Sequence, residues 1–221
     1  MSFGYFNRAL TLVGCTALTV AEIRETAQQP DVIALDGKEY ALLVNPLEVY
    51  LAQNPQRRPR ASMMSSANWR GHVAHFAVVD RDLVVSDVRV DTGMVGDQLG
   101  ARSALSEVLP GSARVVATWF TGNLIIPDGV MTSYVHMGYG SQYERYIVIQ
   151  VAAGVVGARR QLNLDDFAAL RKAQFDAFKQ TPEYREAFAK ASREVPTQSA
   201  ADTELFLFHY TVADYMARIV R

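Results

Sequence analysis

The chain has 221 residues, of which 49% are hydrophobic and 20% charged, as in an ordinary soluble globular protein. Its formal net charge of −1 creates no field that would attract nucleic acid or an anionic membrane. No run approaches the ~20 apolar residues that cross a bilayer. We therefore expect neither a nucleic-acid partner nor a membrane partner.

The N-terminal segment, residues 1–30, predicts one helix. Thr19 and Glu22 form a capping box for a helix over 20–28, which Pro30 ends. Cys15 is the single cysteine, so an intrachain disulfide is excluded, and we place the protein in the cytoplasm. The residues before Cys15 resemble a lipoprotein cleavage site, but their apolar run is short for an export signal, so lipid attachment is the minor alternative.

Residues 31–157 predict a core made mainly of β-strands. Asp36 and Gly37 lie between two apolar runs, which indicates a hairpin. Asn45 caps a short helix that begins at Pro46, and a loop follows over 56–68. Further strands are predicted over 69–80, 83–91, 113–120, 123–127, 130–137 and 144–154, with an irregular glycine-containing link after 91 and a helix over 102–109.

Residues 158–221 predict three helices. Asn163 caps a helix over 164–180, Thr181 caps one over 182–194, and a polar linker leads to the last, over 205–220. The fold class is therefore α+β in one domain, with a mainly antiparallel sheet in the middle of the chain and helices at its two ends. The last helix carries an apolar stripe that either covers the sheet or pairs with a second copy in a homo-oligomer: Leu205, Phe208, Val212, Tyr215, Met216 and Ile219.

The stretch Y-V-H-M-G-Y-G-S-Q-Y-E, from Tyr134 to Glu144, concentrates polar and aromatic residues at a predicted hairpin mouth. If the strands that flank it pair, His136 and Glu144 lie close together and form a candidate catalytic acid–base pair. Tyr139 and Ser141 are candidate ligand-binding residues. The alternative is a tyrosine corner, in which the hydroxyl groups tie the turn to the sheet and His136 satisfies a backbone carbonyl.

Both tryptophans of the chain lie at strand ends beside a glycine. Trp69 and Arg70 stand where a loop enters a strand, and Trp119 stands where a strand ends. An arginine at such a rim can stack on an indole ring and present its guanidinium to a carboxylate or phosphate. If these strand ends meet the Tyr134–Glu144 stretch, they form a concave site with aromatic walls. Each tryptophan alone is equally compatible with ordinary core packing.

The histidines indicate neither a metal site nor a cofactor site. His72 and His75 are three residues apart on one predicted strand, so they point to opposite faces, and no cysteine or carboxylate stands nearby at ligand spacing. We predict no metal and no cofactor. His209 lies on an apolar helix, where a core or interface position is expected.

Three stretches of the chain resemble a group of uncharacterised bacterial proteins of similar length, which carry W-R-G, W-F-[ST]-G and Y-x-H-M-G-Y-G-S-x-Y-E in this order. Here the stretches are 69–71, 119–122 and 134–144, and the resemblance covers residues 31–186. The group has no established activity, so the resemblance implies no function for this chain.

The sequence supports two functions of different classes. The first is a domain that binds a small molecule, anionic or nucleotide-like, in one pocket lined by Trp69, Arg70, Trp119, His136, Tyr139 and Glu144. If this domain is an enzyme, the missing nucleophile and metal motifs favour acid–base group transfer or hydrolysis. The second is a bacterial interaction protein without catalysis, such as an immunity or regulatory partner, because exposed aromatic residues and arginine also suit an interface.

Overall fold

A computed structural model of the protein describes residues 28–60, 67–95, 98–111, 114–136 and 138–219. In these ranges the strands are β1 (Asp31–Leu35), β2 (Lys38–Leu42), β3 (Val73–Val79), β4 (Asp82–Val95), β5 (Gln98–Ser103), β6 (Val115–Val116), β7 (Gly122–Ser133), β8 (Gln142–Ala152) and β9 (Val155–Asn163). The α-helices are α1 (Pro46–Gln53), α2 (Leu105–Val108), α3 (Leu164–Phe178), α4 (Pro182–Glu194), α5 (Ala200–Tyr210) and α6 (Val212–Met216). The helix predicted over 20–28 and Cys15 lie outside the described residues.

All nine described strands belong to one sheet, which curls until its two ends meet. The strand order is β2-β1-β3-β4-β9-β8-β7, with β5 and β6 also paired to β4. The pairs are antiparallel except β1 with β3, which is parallel. Leu43, which follows β2, donates its N–H to Ile125 O of β7 at 2.8 Å and so joins the first strand of the order to the last. The inner face encloses a core that includes Ile33, Leu42 and Phe76.

The C-terminal helices pack against β8 and the start of β7. Tyr146 of β8 stacks on Phe167 of α3, with ring centroids 3.5 Å apart. A cluster of packed aromatic rings joins the four helices to one another: Phe175 and Phe178 of α3, Tyr184 of α4, Phe208 of α5 and Tyr215 of α6. None of the helices in the described ranges combines the length and apolar character that a membrane crossing requires.

The end of the chain is fixed to the start of β7. Asn123 N–H donates to Ala217 O at 2.8 Å, and Asn123 Nδ2 donates to Arg218 O at 2.5 Å. Gly122 lies against the Ala217 carbonyl so closely that a Cβ atom would collide with it. Val212, Tyr215 and Met216 of the apolar stripe are therefore buried within the single chain, whereas Leu205 and Ile219 are exposed.

The predicted α+β class with a mainly antiparallel sheet is confirmed, as are the Asp36-Gly37 hairpin and the helix after Asn45. The helical part begins later than residue 158, because β9 continues the sheet to Asn163. The last predicted helix is divided into α5 and α6 at Thr211. The Thr211 hydroxyl donates to Leu207 O at 2.8 Å, a bond from a side chain to the preceding turn that bends helices.

Several predictions in the middle of the chain are wrong. The link after residue 91 is strand, since β4 continues to Val95 and pairs with β5, so the helix predicted over 102–109 shrinks to α2. The strand predicted over 113–120 is limited to β6, because the chain turns after it: Phe120 N–H donates to Ala117 O at 2.9 Å. The two strands predicted over 123–127 and 130–137 are one continuous strand, β7.

Candidate functional site

The loop before β3 exposes Trp69 and buries its neighbour Arg70. Gly71 N–H donates to Asn68 O at 3.1 Å and closes a turn, with a φ of +76° at Gly71. Glycine adopts this left-handed backbone without a steric penalty. The indole of Trp69 is 52% exposed, while Arg70 is buried. The W-R-G sequence thus places an aromatic ring at the surface directly beside an internal charge.

Arg70 forms a buried ion pair with Asp31 of β1. Arg70 Nη1 lies 2.8 Å from Asp31 Oδ1, and Nη2 donates to Gln29 O at 2.9 Å. Asp31 Oδ1 also accepts the Ala74 backbone N–H at 2.9 Å, and the Arg70 and Asp31 side chains are only 2% and 0% exposed. The sequence predicted a guanidinium free to hold an anionic ligand; in the structure Asp31 neutralises that guanidinium.

Glu48 of α1 is held ionised by two basic side chains. The Arg58 Nη2 lies 2.7 Å from Glu48 Oε2, and the buried His72 ring places Nε2 3.2 Å from Glu48 Oε1. Partial burial alone would raise the pKa of Glu48, but the contacts with His72 and Arg58 outweigh this and lower the pKa from 4.5 to about 2. The other His72 nitrogen, Nδ1, lies 3.1 Å from Arg70 O.

Tyr139 and Gly138 bring part of the Tyr134–Glu144 stretch to the same region. The Tyr139 hydroxyl donates to Asn45 Oδ1 at 2.9 Å, so Asn45 uses its side chain there instead of capping α1 as predicted. Burial raises the pKa of Tyr139, with the Arg70 charge opposing it, and the hydroxyl therefore remains a donor. Gly138 has a φ of +49°, and a Cβ atom there would lie 3.0 Å from Tyr210 O.

Two adjoining cavities open between these loops and helices α4 to α6. The first has a volume of about 600 Å³ and the second about 530 Å³. We call the concave surface that they share the Trp69 groove. The residues that line both cavities include Trp69, Gly138, Ala187, Tyr210, Thr211 and Asp214.

The groove gathers some of the predicted site residues and leaves others out. Trp69, Arg70 and Tyr139 line the first cavity, and His136 lines the second together with Trp69. Trp119 and Ser141 line neither cavity. Trp119 packs on Tyr50 and donates its indole N–H to Pro46 O at 3.1 Å. The Ser141 hydroxyl accepts the Val135 N–H at 3.1 Å and so closes the loop instead of facing a ligand.

The predicted acid–base pair is not assembled. The register of β7 with β8 pairs Met131 with Tyr143, so Glu144 lies beside the exposed part of β7, where its carboxylate accepts the Val130 N–H at 3.2 Å. His136 lies beyond the end of β7 and packs edge-on against Tyr134 at 4.6 Å. Glu144 lines neither cavity, whereas His136 borders the second.

Tyr210 and Asp214 are groove residues that the sequence did not predict. Tyr210 and Asp214 were assigned to one long apolar helix, yet both line both cavities because the chain breaks between α5 and α6. One signal was present in the sequence: Asp214 is the only Asp, Glu, Lys or Arg between Glu204 and Arg218. A carboxylate in an apolar helix must reach water or a partner, because Asp is almost never fully buried unless it is paired.

Asp214 differs from the other charged groups of the groove. Among the described residues, none makes an ion pair or a side-chain hydrogen bond with its carboxylate. It is exposed to the groove, but the protein around it removes part of its hydration, which raises the pKa of Asp214; the Arg218 charge opposes this and the Glu48 charge adds to it. The carboxyl groups that line the first cavity thus include Glu48 and Asp214, whose pKa values are moved in opposite directions.

Comparison of the chain with models of known protein families, with curated proteins and with solved structures finds no match. The resemblance to the group of bacterial proteins therefore stays a prediction. In the described part of the chain, no group of three or more His, Cys, Asp or Glu residues is arranged to hold a metal ion.

Proposed function

We propose that this protein is a binding domain for a small organic molecule, which it holds in the Trp69 groove. The observation that carries the proposal is the 52% exposed indole of Trp69 on a concave surface that joins two cavities. Volumes of about 600 and 530 Å³ lie in the range of about 300–1,000 Å³ that small-molecule sites occupy.

The composition of the groove supports a ligand with an apolar body. Trp69 and Tyr210 are both about half exposed, at 52% and 49%, and they line both cavities. Ala187, Ala213 and Ala217 form part of the helical wall of the first cavity, where small side chains leave room. Large aromatic rings beside small residues in a concavity favour ligand binding over a flat partner-binding surface, which is the alternative function.

The proposal concerns binding and assigns no reaction. His136 and Glu144, the predicted acid–base residues, do not line a common cavity. Glu48 is occupied by Arg58 and His72, and Arg70 is occupied by Asp31. A ligand in the groove can contact the exposed rings of Trp69 and Tyr210 and the carboxylate of Asp214.

The two tryptophans provide a direct test. In ¹⁵N-labelled protein they give two indole N–H resonances, of which Trp69 reports the groove and Trp119, bonded to Pro46 O, reports a site outside it. The compounds to be tested are those released from the purified protein and identified by mass spectrometry, followed by a fragment library. Compounds that bind are expected to shift the Trp69 resonance with saturation and to leave the Trp119 resonance in place.

A matched pair of variants checks the location. Ala187→Leu adds bulk to a residue that lines both cavities, and Ala189→Leu makes the same change on the exposed side of the same helix. Leucine is a good helix former, so both variants are expected to fold. Ala187→Leu should weaken the binding of the compounds and Ala189→Leu should not. Equal shifts of both tryptophans, or binding that Ala187→Leu leaves intact, would contradict the proposal.

A further inference from the structure

The charged groups that line the two cavities are matched by partners, with one exception. Arg70 is paired with Asp31 at 2.8 Å and Glu48 with Arg58 at 2.7 Å. Arg218 lies 3.6 Å from Glu183, and Lys190 lies 3.9 Å from Glu194. Asp214 alone among these described groups has no ion pair within 4.0 Å, although the Arg218 charge acts on it from farther away. The groove therefore presents one unmatched negative charge.

The surroundings of Asp214 make that charge costly without a ligand. The carboxylate faces a concave space in which protein replaces part of the surrounding water, and the nearby Glu48 carboxylate repels it. A positive charge brought next to Asp214 would offset both effects, because an opposite charge stabilises the ionised form of a carboxyl group. An anion would increase them. The arrangement of charges in the groove thus favours a cationic ligand over the anionic one predicted from the sequence.

The aromatic rings beside Asp214 favour the same kind of ligand. Trp69 and Tyr210 line both cavities together with Asp214, and the Tyr210 ring is held in a stack on Phe206 with centroids 5.0 Å apart. The faces of tryptophan and tyrosine rings carry negative electrostatic potential and attract organic cations. A carboxylate with two aromatic rings is a combination that binds ammonium groups, including quaternary ones that can donate no hydrogen bond.

We infer that the Trp69 groove binds an organic cation with one positive charge, with Asp214 as its counter-ion and the rings of Trp69 and Tyr210 against the charged group. This inference rests on the proposed function and names the class of ligand. A single unmatched carboxylate fits a monocation better than a polycation, whose further charges would meet groups that already have partners. The apolar part of the ligand would extend along the alanine-containing wall of the first cavity.

Three probes of nearly the same shape test the charge. Choline carries a quaternary ammonium group, 3,3-dimethyl-1-butanol replaces its nitrogen by carbon and is neutral, and 3,3-dimethylbutanoate has the same apolar head with a negative charge. Each is titrated into ¹⁵N-labelled protein, and the dissociation constant is read from the Trp69 indole N–H resonance. We expect choline to bind about tenfold or more tightly than the alcohol, which is the size of a combined cation–π and exposed charge–charge interaction. The butanoate is expected to bind weakest.

Two variants test whether Asp214 causes the preference for choline over the neutral alcohol. Asp214→Asn keeps the shape of the side chain and should reduce the affinity for choline about tenfold, to that of the neutral alcohol, while the affinity for the alcohol stays the same. Glu186→Gln removes one charge from an exposed position of α4 that lines neither cavity, and it should leave both affinities unchanged. An unchanged set of amide resonances away from the groove shows that each variant is folded.

The outcomes separate the inference from the function on which it rests. If the alcohol or the butanoate binds as tightly as choline, the cationic ligand is excluded while small-molecule binding in the groove stands. If Asp214→Asn and Glu186→Gln weaken choline equally, Asp214 is not the counter-ion and the inference fails. If no probe shifts the Trp69 resonance but compounds of the fragment library do, the groove binds molecules of another class.

Discussion

The Trp69 loop, residues 68–72, and the Tyr134–Glu144 stretch have similar compositions but different roles in the structure. Both contain tryptophan or tyrosine together with a histidine, a charged residue and glycine. In the Trp69 loop nearly every side chain is engaged: Arg70 and His72 are internal, and Trp69 lines both cavities. In the Tyr134–Glu144 stretch, Gly138 and Tyr139 line the first cavity and His136 the second, while Glu144 and Ser141 maintain the hairpin.

The role of each segment is therefore decided more by the elements that surround it than by its composition. The Trp69 loop is placed between β1, α1 and the C-terminal helices, so its polar groups are removed from water and must find partners. The second half of β7 and the start of β8 extend beyond these helices, and Val130 is 67% exposed there. Polar residues on this extension remain hydrated, and their interactions contribute little to stability.

The largest expected effect comes from breaking the internal ion pair. Arg70→Met leaves the Asp31 carboxylate buried without its partner, and removal of one member of a buried pair costs about 3–5 kcal/mol. Arg145→Met is the control in the hairpin, because the Arg145–Asp128 pair at 3.1 Å has a half-exposed guanidinium and should contribute about 0–1 kcal/mol. Urea unfolding measures both. Equal losses in the two variants would remove the distinction between the two regions.

The second effect is a dependence of the unfolding free energy on pH, which arises from Glu48 beside the Trp69 loop. The folded protein lowers the pKa of Glu48 from 4.5 to about 2, so its stabilising contribution is complete above about pH 5 and is lost as the pH falls towards 2. Wild type should therefore lose on the order of 2 kcal/mol over this range relative to Glu48→Gln. A Glu48→Gln curve parallel to wild type would show that the contacts with His72 and Arg58 do not stabilise the fold.

The third effect concerns the point where the hairpin segment reaches the helices. Gly138→Ala places a side chain at a left-handed backbone position, which destabilises the fold by about 1–2 kcal/mol. The new Cβ would also lie 3.0 Å from Tyr210 O. Gly37→Ala imposes a similar backbone strain at φ +76° with nothing within 4 Å. Gly138→Ala should therefore unfold at lower urea concentration than Gly37→Ala. The same loss in both would mean that the contact with α5 adds nothing to the strain.

The smallest effect is expected at Glu144. Its carboxylate accepts one hydrogen bond from Val130 at the exposed edge of β7, so Glu144→Ala should cost at most about 1 kcal/mol. It should also leave the Trp69 indole resonance unshifted, since Glu144 lines neither cavity. A displaced Trp69 resonance would indicate that the hairpin and the groove are coupled after all.

Local patterns predicted much of the fold and only part of the site. Asp36-Gly37 correctly predicted the turn between β1 and β2, and Asn163 and Thr181 correctly predicted the starts of α3 and α4. These features depend only on residues that are close together in the sequence. The curled sheet depends on contacts between distant residues, such as Leu43 with Ile125, which no short window contains. For the same reason the sequence identified Trp69, Arg70 and Tyr139 but could not show that Asp31 neutralises Arg70, nor that a break at Thr211 brings Tyr210 and Asp214 to the groove.

The seam between the two ends of the sheet has a consequence for dynamics. Leu43 N–H and Ile125 O join strands at opposite ends of the strand order, and Asn45, the partner of Tyr139, follows two residues later. When thermal fluctuations break this hydrogen bond, α1, which forms one wall of the first cavity, would move away from the rest of the cavity. An occupant of the cavity would oppose that opening by mass action, so hydrogen exchange at the Leu43 amide should slow as the groove fills.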